Sequence, residues 1–561
     1  MTLLALRHTT VIRPEGVCGG RLDLPLAESY PTELEAVATA VARHAPGRII
    51  TSPSPRCARL ADDLAAALRS AGTTKTATAD RDQRLLEFDY GSWEGLAWHD
   101  IPEDALRQWS DRWTEARAGD GERLPEMIAR VGALCYELAA GGPDQASGSE
   151  ASAPNETSAA PVLLVTHAGV IRCLYHLLHH QPVHAIFEPD VGYGELVSFD
   201  LSALQQRLHR EQAMQNRLDG RTKPVGSLGR LERVAVRVAG ITRSARPRLS
   251  RKLAIVTAAD HGVSRLSLYP RAVTAQMAAN IFAGGAAITV LARRAGADVW
   301  LVDAGIDWAC GPFASFDGMQ AITPRAPGVT RCIDASCGPG TSDWTGGVPA
   351  MTEAQYHAGL EAGRTILLEA RAAGYDCIAF GDMGIGNTSA AAAVAMALGM
   401  DEAVIDRGTG ISDSQLAQKR RIIAEAVARH APCPNPADAM TRFGGCELLL
   451  MAGMMTALPE QPCVAILDGF PVTAAALAAV RLNRAVVDCL IAGHRSAVRG
   501  HELLLQALGL EPVLDLGMRL GEGSGAVLAM PVLETALALA AEMAGFADAH
   551  VETAASEETR Y

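Results

Sequence analysis

One pattern recurs from Lys252 onward and limits the folds open to this chain. A short aliphatic run is followed by a turn rich in glycine or polar residues, and then by an alanine-rich helix. Clear examples are DCIAF before GDMGIGNTSAAAAVAMAL, CVAILDGF before PVTAAALAAV, and PVLDLGMRLGEGSG before AVLAMPVLETALALAAEM. Strands that alternate with helices predict an α/β fold with a mostly parallel sheet covered on both faces. Ligands of such sheets bind at the carboxyl ends of the strands, where these turns fall.

Length, composition and charge narrow the possible functions. The chain has 561 residues, more than one hydrophobic core accommodates, so at least two domains are expected. Hydrophobic residues make up 48% and charged residues 20%, which is typical of globular proteins. The formal net charge of -13 argues against a nucleic-acid partner, because binding to phosphate backbones needs clustered Lys and Arg. Any bound phosphate is therefore expected to be small and held locally.

The cysteines and the apolar segments predict a cytoplasmic protein without a membrane span. Twelve cysteines are scattered singly, with no CxxC pair and no metal-ligand spacing, which indicates reduced thiols and no metal site. The opening MTLLALRHTT lacks the pattern of a signal peptide. The apolar stretch from Gly525 to Phe546 contains Pro531, Glu534 and Glu542, so we predict a buried helix there.

Two domains are predicted, at residues 1–203 and 204–561. The boundary follows the strand-like ELVSFDL, where a polar helical run from Ser202 to Asn216 begins. The stretch 141–160, GGPDQASGSEASAPNETSAA, is predicted to be a mobile loop because it is rich in small residues without an apolar period. It is placed inside the first domain, since PVLLVTHAGVIRCLYHLL continues the strand–helix pattern after it.

Four segments of the first domain carry residues suited to phosphoryl transfer. Arg7 and His8 end the strand TLLAL, Arg56 lies in TSPSPRCARLAD, Glu87 in RLLEFDYGSWEG, and His167 in VLLVTHAGVIR. A neutral imidazole can attack phosphorus, and arginine offers a planar fork for the phosphate oxygens. Singly, each residue has an ordinary structural interpretation, as a surface charge or a buried histidine. Their occurrence together, in this order along the chain, favours a catalytic site.

These segments resemble the histidine phosphatase superfamily, and FDYGSWEG and GVCGGRLDLPLAE are similar to its α-ribazole phosphatase branch. The resemblance implies that His8 is the nucleophile and that Arg7 and Arg56 clamp the phosphate. It also implies that Glu87 donates a proton to the leaving oxygen and that His167 completes the pocket. No metal is required by this chemistry. Thr9 stands where many members have glycine.

The turns of the second domain supply a phosphate cradle and a candidate base. In GDMGIGNTS the glycines and the helix start suit an anion, so Gly386, Asn387 and Thr388 are predicted to hold a phosphate. Simple helix capping by Asn387 or Ser389 is the alternative. Glu522 lies between glycines after an aliphatic strand, and burial there is expected to raise its pKa. Asp468 ends another strand, where it positions a ribose or caps the following helix.

This domain resembles nicotinate-nucleotide:dimethylbenzimidazole phosphoribosyltransferases, with a Rossmann-like fold. The similar segments are RLDGRTKPVGSLGRLERVAVRVAGI, TAADHGV, SLYPRAVTAQM, GDMGIGNTSAAAA, DRGTGISDSQLAQKR, ILDGFPVTAAAL and LDLGMRLGEGSGAVLAMPVLETA. The resemblance implies that Glu522 is the general base and that Lys419 lies near the phosphate. It implies no cofactor and a homodimer formed through this domain.

The same resemblance leaves two residue assignments open. Ser267, Tyr269 and Gln276 are expected to line the base pocket, and an ordinary loop and helix start is the alternative. Asp382 stands where the family usually has Glu, so the carboxylate is kept on a side chain that is one methylene shorter.

Together the two halves predict a bifunctional enzyme of cobamide lower-ligand synthesis. Its substrates would be nicotinate mononucleotide, 5,6-dimethylbenzimidazole and α-ribazole 5′-phosphate. Two alternatives concern the first domain alone: action on a completed cobamide 5′-phosphate, or an inactive interaction module. A third is a general sugar-phosphate phosphatase or mutase joined to a transferase with a different purine or azole acceptor.

Overall fold

The computed structural model describes residues 1–72, 79–111, 113–114, 116–141, 160–408, 410–430, 433 and 435–551. Contacts divide the chain into two compact units, Met1–His209 and Arg210–Tyr561. This division and the predicted limit at 203/204 both fall within one helix, Ser202–Asp219. The predicted loop 141–160 lies outside the described residues, except for its first and last residue.

A five-stranded sheet forms the centre of the first unit. Its strands are β1 Thr2–Arg7, β2 Arg48–Thr51, β3 Asp80–Arg81, β4 Val162–Thr166 and β5 Leu196–Asp200, in the order β3-β2-β4-β1-β5. All neighbouring strands are parallel except β5, which pairs antiparallel with β1. The helices are α1 Tyr30–Ala42, α2 Pro55–Ser70, α3 Glu103–Asp111, α4 Leu124–Ala140 and α5 Ala168–Leu178. The next helix, α6 Ser202–Asp219, begins in this unit and ends in the second.

Strand β1 shows why its sequence is continuously apolar. Leu3 and Ala5 belong to one hydrophobic core, while Leu4 and Leu6 belong to another, and all four side chains are fully buried. Successive side chains of a strand point to opposite faces, so helices cover both faces of this sheet.

A six-stranded sheet forms the centre of the second unit, and every pair of neighbouring strands in it is parallel. The strands are β6 Lys252–Ala259, β7 Ala297–Gly305, β8 Val329–Asp334, β9 Cys377–Met383, β10 Val464–Leu467 and β11 Leu490–Ala492, in the order β11-β10-β9-β6-β7-β8. The helices are α7 Arg230–Ile241, α8 Val273–Phe282, α9 Ala287–Ala295, α10 Phe316–Ile322, α11 Glu353–Ala372, α12 Asn387–Ala397, α13 Asp413–His430, α14 Pro436–Phe443, α15 Cys446–Thr456, α16 Phe470–Leu482, α17 Arg499–Leu508, α18 Ser524–Glu542 and α19 Phe546–Ala549.

Two hydrophobic cores lie on the two faces of the second sheet. In β6, Leu253 and Ile255 belong to one core, and Ala254 and Val256 to the other. The predicted fold class, two α/β domains with mostly parallel sheets flanked by helices, is therefore confirmed.

Two stretches are long and apolar enough to cross a membrane by length and composition, Val273–Ala295 and Ser524–Glu542. The fold buries 56% of the most apolar window in each stretch. Leu533 and Leu537 of α18 belong to the core that covers one face of the second sheet. The helix predicted after Gly525 is thus a core helix of this domain.

Two candidate active sites

Three neighbouring parallel strands of the first sheet end at one edge and bring three predicted residues together. His8 follows β1, His167 lies between β4 and α5, and Arg56 is in the first turn of α2 after β2. Arg56 donates from Nε to His8 Nε2 at 3.2 Å, and its Nη2 lies 3.3 Å from His167 Nδ1. The two imidazole rings meet edge to face, with centroids 5.3 Å apart.

The His8 imidazole is held in one neutral tautomer. Its Nδ1 lies 2.8 Å from the carbonyl oxygen of Thr9. A carbonyl only accepts, so Nδ1 carries the proton and Nε2 keeps its lone pair. Burial, and then the charges of Arg56 and Arg7, lower the pKa of His8 to about 3. The ring is therefore neutral near pH 7, and its Nε2 can act as a nucleophile.

His167 is held by a residue that the sequence analysis did not identify. Its Nε2 lies 2.9 Å from the hydroxyl oxygen of Ser52, at the end of β2. Burial, and then the Arg56 charge, keep the pKa of His167 well below its usual value. The sequence signal for Ser52 was the pair of serines in TSPSP, immediately before Arg56.

Arg7 and Glu87 both line the cavity at His8 and have different hydrogen-bond partners. The Arg7 guanidinium donates to the carbonyl of Val191 and lies 3.7 Å from the centre of the Tyr193 ring. The Glu87 carboxylate accepts from the backbone N–H of Gly169 at 3.2 Å. A Cβ at Gly169 would lie 2.1 Å from Glu87 Oε1, so this approach requires glycine.

A cavity of about 230 Å³ joins most of these residues. Arg7, His8, Arg56 and Glu87 line it, together with Arg13, Arg172 and several aromatic side chains. His167, which was expected to complete the pocket, is not among its lining residues and instead contacts Arg56 and Ser52. The cavity thus combines a neutral imidazole, cationic groups and one carboxylate, a set suited to phosphomonoester chemistry.

In the second unit, the turn after β9 and the start of α12 carry the predicted phosphate residues. The Asn387 amide donates to Asp382 Oδ2 at 2.6 Å and accepts from the Thr388 backbone N–H at 2.7 Å. Lys419, on α13, donates to Thr388 Oγ1 at 3.2 Å. The structure therefore brings Asp382, Asn387, Thr388 and Lys419 together.

Helix capping does not account for this turn. The N-cap of α12 is Gly386, which has no side chain to cap with, and its φ of 108° lies in the left-handed region. A Cβ at Gly386 would lie 3.0 Å from His261 Cβ. Glycine is needed here because the turn packs closely against the segment that follows β6.

A buried acidic cluster lies at the carboxyl ends of β9 and β10. It consists of Asp382, Glu447, Asp468 and Glu522, each at most 5% exposed. Burial, and then the charges of Glu447 and Asp468, raise the pKa of Asp382 to about 7. Closely spaced carboxylates in low dielectric hold protons readily, so this cluster can take up a proton near neutral pH.

Two members of this neighbourhood, His261 and Glu447, were missed by the sequence analysis. His261 Nε2 lies 2.8 Å from Glu447 Oε1, and both side chains are fully buried. Although burial acts to lower it, the Glu447 carboxylate raises the pKa of His261 above its usual value. The signal for Glu447 was a single carboxylate at the start of the apolar helix CELLLMAGMMT.

Glu522 lies in the loop between α17 and α18, and the prediction of an aliphatic strand before it was wrong. Its surroundings are nevertheless those expected of a base. Its side chain is 5% exposed, and its Oε2 has no hydrogen-bond partner among the described residues. Burial, and then the charge of Asp468, raise the pKa of Glu522, which is the expected direction. Its φ of 63° is unusual for a residue other than glycine.

Asp468 does not cap the helix that follows it. Its carboxylate accepts from the backbone N–H groups of Gly523, Gly525 and Ala526 at 3.0, 2.7 and 3.2 Å. The following helix, α16, has Gly469 as its N-cap. Asp468 therefore caps α18, and the prediction that it caps α16 was wrong.

The three residues predicted for the base pocket lie between β6 and the second turn of α8. Ser267 is partly buried, whereas Tyr269 and Gln276 are exposed. Their side chains make no hydrogen bond among the described residues. Thr274, on the first turn of α8, accepts from the backbone N–H of Ile385 at 3.2 Å, so the start of α8 contacts the turn after β9.

All twelve cysteines are free thiols. Within the described parts of the chain, no group of three or more His, Cys, Asp or Glu residues is placed to hold a metal ion.

The fold and the two clusters define an α/β enzyme with one strand-end site in each of two domains. The chain belongs to the phosphoribosyltransferase family whose model matches residues 205–551. Residues 3–214 match the model of the histidine phosphatase superfamily, branch 1.

Several proteins are similar to the second domain of this chain and share one name. A nicotinate-nucleotide–dimethylbenzimidazole phosphoribosyltransferase of Roseiflexus sp. (strain RS-1) is 45% identical over 344 residues, which is 60% of this chain and 93% of that protein. The protein of the same name from Cupriavidus necator is 43% identical, over 63% of this chain and 98% of that protein. The crystal structure of the enzyme of that name from Thermus thermophilus is 39% identical, with a TM-score of 0.55, and covers 62% of this chain and 99% of that one.

Proposed function

We propose that the chain carries out two consecutive steps of cobamide lower-ligand synthesis. The second domain transfers phosphoribose from nicotinate mononucleotide to 5,6-dimethylbenzimidazole, giving α-ribazole 5′-phosphate and nicotinate. The first domain removes the phosphate to give α-ribazole. The observation that carries the proposal is the neutral His8 imidazole beside Arg56, in a chain whose other domain belongs to a phosphoribosyltransferase family.

In the transfer step, Glu522 acts as the general base. It accepts the N–H proton of dimethylbenzimidazole while the other ring nitrogen attacks the anomeric carbon of the ribose. The bond from that carbon to the nicotinate nitrogen breaks, and nicotinate leaves. The buried, unpartnered Oε2 and the raised pKa of Glu522 support this role.

The turn after β9 holds the substrate phosphate. Gly386, Asn387 and Thr388 form the cradle, and the Lys419 ammonium beside Thr388 supplies positive charge. Asp382 orients the Asn387 amide by the hydrogen bond of 2.6 Å, and Asp468 positions the Glu522 loop. Ser267, Tyr269 and Gln276 flank the base.

In the dephosphorylation step, His8 Nε2 attacks phosphorus while Arg7 and Arg56 bind the phosphate oxygens. Glu87 donates a proton to the departing ribose oxygen, and His167 keeps Arg56 in place. Water then hydrolyses the phosphohistidine, and Glu87 takes up the proton again. The position of Glu87 in the same cavity as His8 supports this assignment.

One incubation tests both steps. Purified protein is mixed with nicotinate mononucleotide and 5,6-dimethylbenzimidazole, and the products are separated over time. We expect nicotinate first, a transient of α-ribazole 5′-phosphate, and then α-ribazole with inorganic phosphate. Accumulation of α-ribazole 5′-phosphate without phosphate release would overturn the second step. Phosphate release from an added cobamide 5′-phosphate alone would place the first domain later in the sequence of reactions.

We also propose that the protein is cytoplasmic and forms a homodimer through the second domain, as the resemblance of that domain implies. Light scattering of the purified full chain at micromolar concentration tests the dimer. A monomer mass would contradict it.

A further inference from the structure

A short segment before β5, residues 191–195, holds Arg7 at three points. The backbone carbonyl of Val191 accepts from the Arg7 guanidinium, and the carbonyl of Glu195 accepts from the Arg7 backbone N–H at 3.0 Å. The third contact is the ring of Tyr193, whose centroid lies 3.7 Å from the guanidinium carbon. This one segment therefore contacts the main chain and the side chain of Arg7.

Tyr193 also contacts the candidate nucleophile. The centroid of its ring is 5.5 Å from that of the His8 imidazole, at an angle of 49° between the ring planes. The backbone beside Tyr193 is fixed to His8, because the N–H of Gly194 donates to the His8 carbonyl at 3.2 Å. The φ of Gly194 is 70°, in the left-handed region that favours glycine. The Tyr193 ring thus touches both the nucleophile and the arginine next to it in sequence.

The two arginines assigned to phosphate binding are held in different ways. The guanidinium nitrogens of Arg56 contact two backbone carbonyls and both histidines of the site. Within the described residues, the side chain of Arg7 makes one hydrogen bond, from Nη1, and its Nε is buried without a partner. A single hydrogen bond leaves the guanidinium free to turn about it. Stacking on the Tyr193 ring fixes the plane that this hydrogen bond leaves undetermined.

We infer that Tyr193 is a positioning residue of the phosphatase site, whose ring sets the plane of the Arg7 guanidinium so that its N–H groups meet the phosphate oxygens during attack by His8. This inference rests on the proposed function of the His8 site. Arginine binds phosphate through a planar fork, so the orientation of that plane decides whether two N–H groups or only one can reach the oxygens. Tyr193 acts through Arg7 and takes no part in proton or phosphoryl transfer.

The test removes the ring and then asks whether Arg7 carries the effect. Tyr193→Leu removes the aromatic face, and Tyr193→Phe is the conservative variant that keeps it. Both are made in the full-length protein and again together with Arg7→Gln. The measurements are kcat/KM for α-ribazole 5′-phosphate and the inhibition constant of inorganic phosphate. Since Tyr193 is 39% exposed, these replacements should not prevent folding, and urea denaturation checks this.

We expect Tyr193→Leu to lower kcat/KM and to raise the inhibition constant of phosphate, each about 10-fold, the effect of a partly desolvated cation–π contact. Tyr193→Phe should restore both values to within about 2-fold of the wild type, because phenylalanine also offers a ring face to a guanidinium. In the Arg7→Gln protein, Tyr193→Leu should cause no further loss, since no guanidinium remains to be oriented.

Phe187→Leu is the matched control. Phe187 lines the same cavity and is 54% exposed, but its ring lies near a different arginine, with the guanidinium carbon of Arg172 5.6 Å from the ring centroid. Removal of this ring should leave the inhibition constant of inorganic phosphate at the wild-type value. An equal rise in Phe187→Leu would assign the effect to the cavity lining in general and overturn the inference.

Three further outcomes would overturn the positioning role. They are wild-type values in Tyr193→Leu, an equal loss in Tyr193→Phe, and a loss in Tyr193→Leu that persists undiminished together with Arg7→Gln. Failure of the proposed function is recognised separately with 4-nitrophenyl phosphate. If the wild type hydrolyses this ester and not α-ribazole 5′-phosphate, the proposed substrate is wrong, and the same comparison of variants with 4-nitrophenyl phosphate decides on Tyr193. Hydrolysis of neither ester would overturn both.

Discussion

The Asp468 carboxylate, in the loop after β10, fixes the backbone immediately after Glu522, in the loop between α17 and α18. It accepts hydrogen bonds from Gly523, Gly525 and Ala526, and its charge contributes to the raised pKa of Glu522. One buried carboxylate thus affects both the position and the basicity of the other.

Replacing Asp468 by Asn places an amide among backbone donors and removes the neighbouring charge. We expect turnover in base transfer to fall about 10²-fold, because small displacements of a catalytic group cost that much. Without the like charge the pKa of Glu522 falls, so the loss of transfer on acidification should shift to lower pH. The pH profile of kcat is the measurement.

The control is Asp376→Asn, which changes a carboxylate that accepts backbone N–H groups of Ser250 and Arg251 just before β6. It should leave the pH profile in place. Reduced stability of Asp468→Asn with an unshifted profile would contradict the positioning role.

Glu522→Gln keeps the shape of the side chain and removes the base. Transfer should slow by about 10²- to 10⁴-fold, the usual contribution of a general base. Binding of nicotinate mononucleotide should be retained, since its phosphate is held around Thr388. Steady-state transfer assays and a binding isotherm test this, with hydrolysis of supplied α-ribazole 5′-phosphate as the internal control. Near-normal transfer would move the role to Asp382.

Glu522→Gly should remove the base needed for transfer without lowering the free energy of unfolding. The left-handed φ of 63° costs a residue with a Cβ about 1 kcal/mol that glycine does not pay. We expect transfer to be lost while the free energy of unfolding is unchanged or rises by about 1 kcal/mol. Glu361→Gly, at an exposed position inside α11, should instead lower it by about 1 kcal/mol. A clear destabilisation by Glu522→Gly would indicate a structural role for this side chain.

His8→Ala should abolish phosphate release and leave base transfer at the wild-type rate, because the two sites lie in separate domains. The product of the combined reaction should then be α-ribazole 5′-phosphate. Chromatography of the nucleotides together with a phosphate assay checks this. Phosphate release at the wild-type rate would exclude His8 as the nucleophile.

The low pKa of His8 has a consequence for stability. The unfolded imidazole titrates near 6.5, whereas the folded one titrates at about 3. Below pH 6.5 the unfolded chain binds a proton that the folded chain does not, so stability falls as the pH falls. At pH 5 this difference lowers the free energy of unfolding by about 2 kcal/mol.

His8→Asn should reduce the loss of unfolding free energy between pH 7 and 5 by about that amount, measured by urea denaturation. His44→Asn, at an exposed position, should behave like the wild type. An equal pH dependence in His8→Asn and the wild type would show that His8 is not buried as a neutral ring.

The layers of both domains, and several strand ends that carry polar residues, could be predicted from the amino-acid sequence. TLLALR and KLAIVTAA are apolar at consecutive positions because both faces of a parallel sheet are covered, so these strands could be predicted. The segments of His8, Arg56 and His167 could be predicted as well, since each directly follows a strand. Lys419 was predicted only by resemblance, because nothing in its own helix marks it.

The pairing of the buried polar groups could not be predicted, because the partners are far apart along the chain. His261 and Glu447 are 186 residues apart, and Asp468 reaches a loop 55 residues further along the chain. Ser52 meets His167 across 115 residues. A local sequence pattern predicts which residues are buried and whether a segment forms a helix or a strand. The partner of a buried polar group depends instead on which strands become neighbours. That depends on packing over the whole domain. The sequence therefore left two roles open for Asp468, whereas the structure shows its carboxylate bound to the loop of Glu522.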